Sequence, residues 1–210
     1  MNDFHPTRHA LSGADIAFLR NEENWRNGPV VDLFMSYGRD VCIDSARRAL
    51  FTVPNLIGPF VEVNDIPSKT GYRRAREHIA WSAYLVVCDP QARILPFGVC
   101  SFFIRCSRND LSLCVSPNHV ERVCGRYPWF YEPGWVTPPV VDFFRVLVQL
   151  ARDVFKGCQF ELATITDEAN EWYRQDVRGI AIPSDVADAA GWNSLKRVDQ
   201  MALLPAALSR

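Results

Sequence analysis

Cys114, His119 and Cys124 stand close enough along the chain to suggest a thiol nucleophile with an imidazole base, a pairing that turns a thiol into a reactive thiolate. Catalytic partners meet through fold geometry and not through nearness in sequence, so this trio assigns nothing by itself. The seven cysteines, at 42, 88, 100, 106, 114, 124 and 158, form no Cys-x-x-Cys pair, and the four histidines stand singly. The tight ligand pairs of a structural zinc site are therefore missing, and core packing is the expected role of most of these thiols. Ser68, Lys69, Thr70 and Gly71 hold letters of a phosphate-binding loop in the wrong order and without its glycine spacing, so a turn is expected there. The segment 127–139 is richer, because Pro128, Pro133, Gly134, Pro138 and Pro139 interrupt the rings Trp129, Phe130, Tyr131 and Trp135. Prolines prevent regular ladder pairing, which makes Trp129, Tyr131 and Trp135 candidates for the wall of a concave substrate-binding or partner-binding surface. Arg126 adjoins them, and Trp, Tyr and Arg are the residue types that dominate interface energetics.

The elements that position these residues follow from apolar period and turn chemistry. The first thirty residues read as a partly helical lead-in, and 32–50 as a helix in which Leu33, Phe34, Tyr37, Val41, Ala46 and Leu50 recur near 3.6 residues. Pro54, Gly58 and Pro59 close it, and 61–69 is expected to be irregular. Residues 83–88 and 94–104 are apolar runs around the turn Asp89-Pro90-Gln91-Ala92, which predicts an antiparallel hairpin across 83–104. A third strand is expected at 111–115. The clearest helix spans 138–156, with Val140, Phe143, Phe144, Leu147, Leu150, Ala151, Val154 and Phe155 on one face, Thr137 as N-cap and Gly157 as the stop. A strand at 160–165, a helix at 166–175 and a last strand at 195–204 complete the order.

That order over 84–204 resembles the Gcn5-related N-acetyltransferase superfamily, and the sharpest local match is Thr166, Ala169 and Tyr173. In that superfamily an asparagine often stands where Thr166 does. The resemblance implies a splayed pair of central strands and a tyrosine, here Tyr173, that protonates the thiolate expelled when an amine attacks a thioester. It also implies a pyrophosphate cradle, for which Arg122 and Gly125 match and Arg126 adjoins, while Tyr127 stands where the family has a small residue. An alternative alignment ends the cofactor strand at 135–138 and resembles the acyl-homoserine-lactone synthases, which lack that cradle and draw mainly on acyl carrier protein. Either branch implies acyl-CoA or acyl carrier protein as co-substrate with no tightly bound cofactor, an amine substrate, and a general base. Glu132 and Glu161 are the carboxylates nearest the expected active face, and an aromatic surround would raise a carboxylate toward that task.

Composition narrows the classes further. A chain of 210 residues with 48% hydrophobic and 22% charged residues has globular makeup, and one α/β (α+β) domain is expected, with a central mixed, mainly antiparallel sheet flanked by helices. Residues 1–80 are expected to form a helical amino-terminal part and 81–210 the sheet and its helices. A formal net charge of -1 gives no global field for nucleic acid or anionic lipid, and Lys69, Arg73, Arg74 and Arg76 read as a solvated helix face. Residues 1–26 lack an apolar leader core and no apolar run reaches the length of a membrane span, so a cytoplasmic protein with reduced thiols is expected. The competing reading to the enzyme is a non-enzymatic interaction protein, of immunity, inhibitor or adaptor type, that binds a protein partner through 127–135.

Overall fold

The computed structural model describes residues 11–26, 30–36, 51–78, 84–99, 101–105, 110–128, 137–154 and 162–167. It is a mixed α/β structure with antiparallel sheets. Helix α1 (Gly13–Arg20) begins on a reciprocal capping box: the Ser12 hydroxyl accepts the Asp15 N–H at 3.1 Å, and the Asp15 carboxylate accepts the Ser12 N–H at 2.9 Å. A short 3-10 turn, Glu22–Trp25, follows and delivers Trp25 into the core. Helix α2 (Lys69–His78) starts where the Ser68 hydroxyl accepts the Gly71 N–H at 2.9 Å. Arg74 on α2 pairs with Asp65 and Glu62, and Arg73 is exposed, so these two lie on a solvated face.

Seven strands form two sheets among the described residues. The three-stranded sheet runs β2 (Leu56–Phe60), β3 (Tyr84–Val87), β4 (Phe97–Val99), all antiparallel, with Leu85 opposite Val99 and Val87 opposite Phe97. The four-stranded sheet has the order β5 (Ser101–Arg105), β6 (Asp110–Val115), β1 (Val31–Ser36), β7 (Leu162–Asp167). Strand β1 is antiparallel to both neighbours, with Val31 opposite Val115 on one side and Asp167 on the other.

Four expectations need correction. The helix predicted over 32–50 is, through Ser36, the central strand β1. Its apolar residues fit helical spacing, but over so short a run they equally fit a strand, and pairing along both edges decides the outcome. With β1 and β2 inside it, 1–80 is not a helical part. The hairpin exists as β3 and β4, but the second apolar run splits: 97–99 pairs with β3, while 101–105 crosses to the other sheet and pairs with β6. The predicted strands at 111–115 and 160–165 correspond to β6 and β7. Thr166, expected to open a helix, lies on β7 opposite Asp32. The expected helix beyond 167 and the strand at 195–204 lie outside the described residues.

Between β6 and β7 the chain forms helix α3 (Pro117–Cys124) and helix α4 (Pro138–Val154). Thr137 precedes α4 as expected, and its carbonyl accepts the Val141 N–H at 3.0 Å. Its buried hydroxyl, however, has no hydrogen-bond partner among the described residues, so the cap acts through the main chain. Val140, Phe143, Phe144, Leu147 and Leu150 are buried along α4, as their spacing predicts. Phe143 meets Phe97 of β4 edge to face at 5.1 Å, which fixes α4 on the three-stranded sheet. A second cluster of Leu19, Trp25, Ile57, Phe60, Val63, Ile66, Tyr72 and Val86 joins α1, β2, β3 and α2.

Candidate functional site

A cleft of about 460 Å³ opens between the end of the three-stranded sheet and α4, a volume within the range of ligand sites. Its floor is apolar: Val53, Val87, Val146 and Leu150 are all buried. One wall is the turn after β3, with Asp89, Pro90, Gln91 and Arg93, and Asn55 beside it. The other is the solvent-facing row of α4, with Arg145, Gln149 and Asp153.

Asp89 builds the first wall. Its buried carboxylate accepts the Gln91 N–H at 3.2 Å, the Arg93 N–H at 2.8 Å and the Arg93 Nε–H at 3.1 Å. Burial alone would raise this carboxyl, but the Arg93 guanidinium and the two backbone donors outweigh it and hold Asp89 below the usual carboxylate range. The same contacts fix Arg93, whose Nη1 then lies 3.7 Å from Asp142 on α4. Arg145 reaches the same Asp142 at 3.2 Å, and Gln149 donates to Asp153 at 2.9 Å. The turn Asp89-Pro90-Gln91-Ala92 was legible in sequence; the link from its aspartate through Arg93 to α4 was not, because it depends on the α4 packing.

A second cluster lies under α3. Trp25 lies directly over Gly98, where a Cβ would collide with its ring, and donates its indole N–H to the Leu19 carbonyl at 2.8 Å. His119, fully buried, meets the Trp25 ring at 4.5 Å and Phe18 at 4.9 Å, and its Nδ1 accepts the Gly98 N–H at 2.7 Å. Burial first, and then the charge of Arg122, push the imidazole down to about 3, so it stays neutral. Its Nε2 is buried without a hydrogen-bond partner among the described residues. The thiols of Cys88 and Cys124 are pushed up to about 12 by burial, with Asp15 adding to the effect at Cys88. Cys124 is thus held as a thiol and His119 as a weakly basic imidazole, so these two are not poised as thiolate and base, while Cys114 lies on β6.

The residues that the resemblance assigned to a pyrophosphate cradle are placed differently. Arg122 sits in the last turn of α3, over the Phe18 ring at 4.4 Å, donating to the Pro96 carbonyl at 2.7 Å and pairing with Asp15. Gly125 is the left-handed C-cap of that helix at φ 78°, its N–H given to the Glu121 carbonyl at 2.8 Å. A helix carboxyl end presents carbonyls and a partial negative charge, whereas phosphate is held at amino ends. Residues 122–125 thus form a helix stop and not an anion cradle; Arg126 is exposed just beyond it. Glu132, Glu161, Tyr173, Trp129, Tyr131 and Trp135 lie outside the described residues. Tyr127, which adjoins the last group, is buried.

Among the described residues no group of His, Cys, Asp and Glu side chains could hold a metal ion, and no helix is long and apolar enough to cross a membrane. No family model, no curated protein and no solved structure matches this chain.

Proposed function

We propose that this chain acts by binding a protein partner, as a non-enzymatic interaction protein of immunity, inhibitor or adaptor type. One observation carries the reading: four titratable or nucleophilic groups by the cleft and under α3, Asp89, His119, Cys88 and Cys124, are held away from the range in which they exchange protons at neutral pH. Asp89 is ionised and enclosed by donors, His119 is neutral far below its ordinary range, and the Cys88 and Cys124 thiols are raised to about 12. General acid–base and nucleophilic catalysis need groups poised near the working pH. The cleft, in contrast, has a preformed apolar floor and polar walls, the makeup of a binding site. The 127–135 segment, which supplies the aromatic part of this reading, connects α3 to α4.

An acyl-CoA- or acyl-carrier-protein-dependent N-acyltransferase is the second reading. The chain order β6, α3, α4, β7 favours it, since a strand, a helix and a further strand are what the resemblance implies. The ladder weighs against it: β1 fills the space between β6 and β7, where the resemblance implies two splayed neighbours. Under this reading Tyr173 supplies the leaving-group proton, and Tyr173→Phe slows turnover by roughly 10²–10⁴-fold at unchanged thioester affinity.

Calorimetric titration with acetyl-CoA, longer acyl-CoAs and acylated carrier protein, together with an assay of thiol release in the presence of amines, separates the two readings. Binding by a non-enzyme predicts neither saturable heat nor thiol release. Saturable thioester binding with amine-dependent thiol release would overturn it.

A further inference from the structure

We propose that the cleft between α4 and the turn after β3 is the docking site for a short extended segment of the partner. This segment carries an acidic and a basic side chain four positions apart, with an apolar side chain midway between them. The inference rests on the binding reading above and gives the partner its chemistry.

The argument is charge complementarity along one helix face. Arg145 and Asp153 line the α4 wall at opposite ends, separated by about two turns, or roughly 12 Å along the axis. An extended chain advances roughly 3.3–3.6 Å per residue and points alternate side chains to opposite faces, so two side chains four positions apart, roughly 13–14 Å, reach both ends of the wall from one face. Between the two charges the floor is Val53, Val87, Val146 and Leu150, which takes an apolar side chain.

Each end has capacity for a ligand. Arg145 holds Asp142 through Nη1 alone, at 3.2 Å, and its side chain is 52% exposed. An exposed pair of this kind is worth only ~0.2–1 kcal/mol, so an incoming carboxylate can take Arg145 over while Asp142 keeps Arg93, 3.7 Å away. Asp153 accepts from Gln149 through Oδ1, and its Oδ2 makes no hydrogen bond among the described residues. Asn55 and Gln91 on the opposite wall supply amide donors and acceptors for a peptide backbone.

The test is selection of a phage-displayed random hexapeptide library on the purified full chain, followed by affinity measurements on a synthetic selected peptide. Enriched sequences should hold an acidic and a basic residue four apart, flanking at least one apolar residue. Arg145→Glu and Asp153→Lys should each weaken the synthetic peptide at least about tenfold, and the double charge swap should select the opposite charge order. The neutral pair Arg145→Gln and Asp153→Asn, with far-ultraviolet circular dichroism of every variant, separates lost binding from lost folding. Sequences without the charge pair, no enrichment at all, or affinity unchanged in both single variants would overturn the proposal. Absence of peptide binding alongside absence of thioester binding removes the peptide assignment alone, whereas a positive thioester titration removes the reading beneath it.

Discussion

His119 makes the stability of this protein depend on pH in a way that can be worked out in advance. Its ordinary value of 6.5 is pushed down to about 3 by burial, with Arg122 adding repulsion. The unfolded chain therefore takes up the proton first as pH falls. The stabilisation is fully present above 6.5 and is lost progressively between 6.5 and about 3. At about 1.4 kcal/mol per pH unit, acidification from pH 7 to pH 4 removes about 3 kcal/mol through this one residue. Against a typical total of ~5–15 kcal/mol, that is a large share.

The measurement is urea unfolding followed by tryptophan fluorescence at pH 7, 6, 5 and 4, for the native chain and for His119→Phe. The substitution keeps an aromatic ring against Trp25 and Phe18 but leaves the Gly98 N–H without its acceptor, which costs ~1–3 kcal/mol at every pH. Asp15 and Asp89, both held below the usual carboxylate range, also weaken the fold in acid, but they do so equally in both proteins. The difference between the two curves thus isolates His119: the variant should lose about 3 kcal/mol less than the native chain between pH 7 and 4. Nitrogen NMR of the native protein gives an independent readout, because an Nδ1 that accepts from Gly98 requires the proton on Nε2. Parallel stability curves, or an imidazole that titrates near 6.5 in the folded protein, would refute the reasoning.

Gly98→Ala should destabilise by ~1–3 kcal/mol, seen as a lowered melting temperature, because the new methyl enters the Trp25 ring. Gly13→Ala, where a Cβ meets nothing within 4 Å and the residue opens α1, should instead stabilise by up to ~1 kcal/mol in the same assay. Ser12→Ala removes the hydroxyl half of the capping box and should cost ~0.5–2 kcal/mol in urea unfolding. Cys88 and Cys124 should resist alkylation by iodoacetamide at pH 8 until denaturant is added, since burial keeps both thiols protonated; peptide mapping by mass spectrometry reads this directly, and prompt labelling of either would contradict it.

What was legible in the sequence was whatever depends on neighbours along the chain. Helix α4 was readable because apolar residues recur at three and four over a long stretch that begins after Thr137 with two prolines. The β3 run and the Asp89 turn were readable for similar local reasons. Strand β1 was not, because Leu33 and Phe34 suit either period and the choice is made by partners at 110–115 and 162–167, far along the chain. The same distance hid the split of 94–104 between two sheets.

The functional residues divide along the same line, and Gly98 shows where a further signal lay. An isolated glycine inside an apolar strand marks a close approach of another group, here the Trp25 ring above it and the His119 imidazole at its N–H. Read that way, Gly98 announces a packed junction before any contact is known, though not its partners. Arg122 makes the complementary case: its spacing to Gly125 fitted an anion loop, yet the helix that carries the arginine directs it to Asp15 and Pro96 and is ended by the glycine as its cap. A glycine-spaced phosphate motif draws its donors from the backbone N–H groups that open a helix, so the direction of the enclosing helix decides what the same letters do.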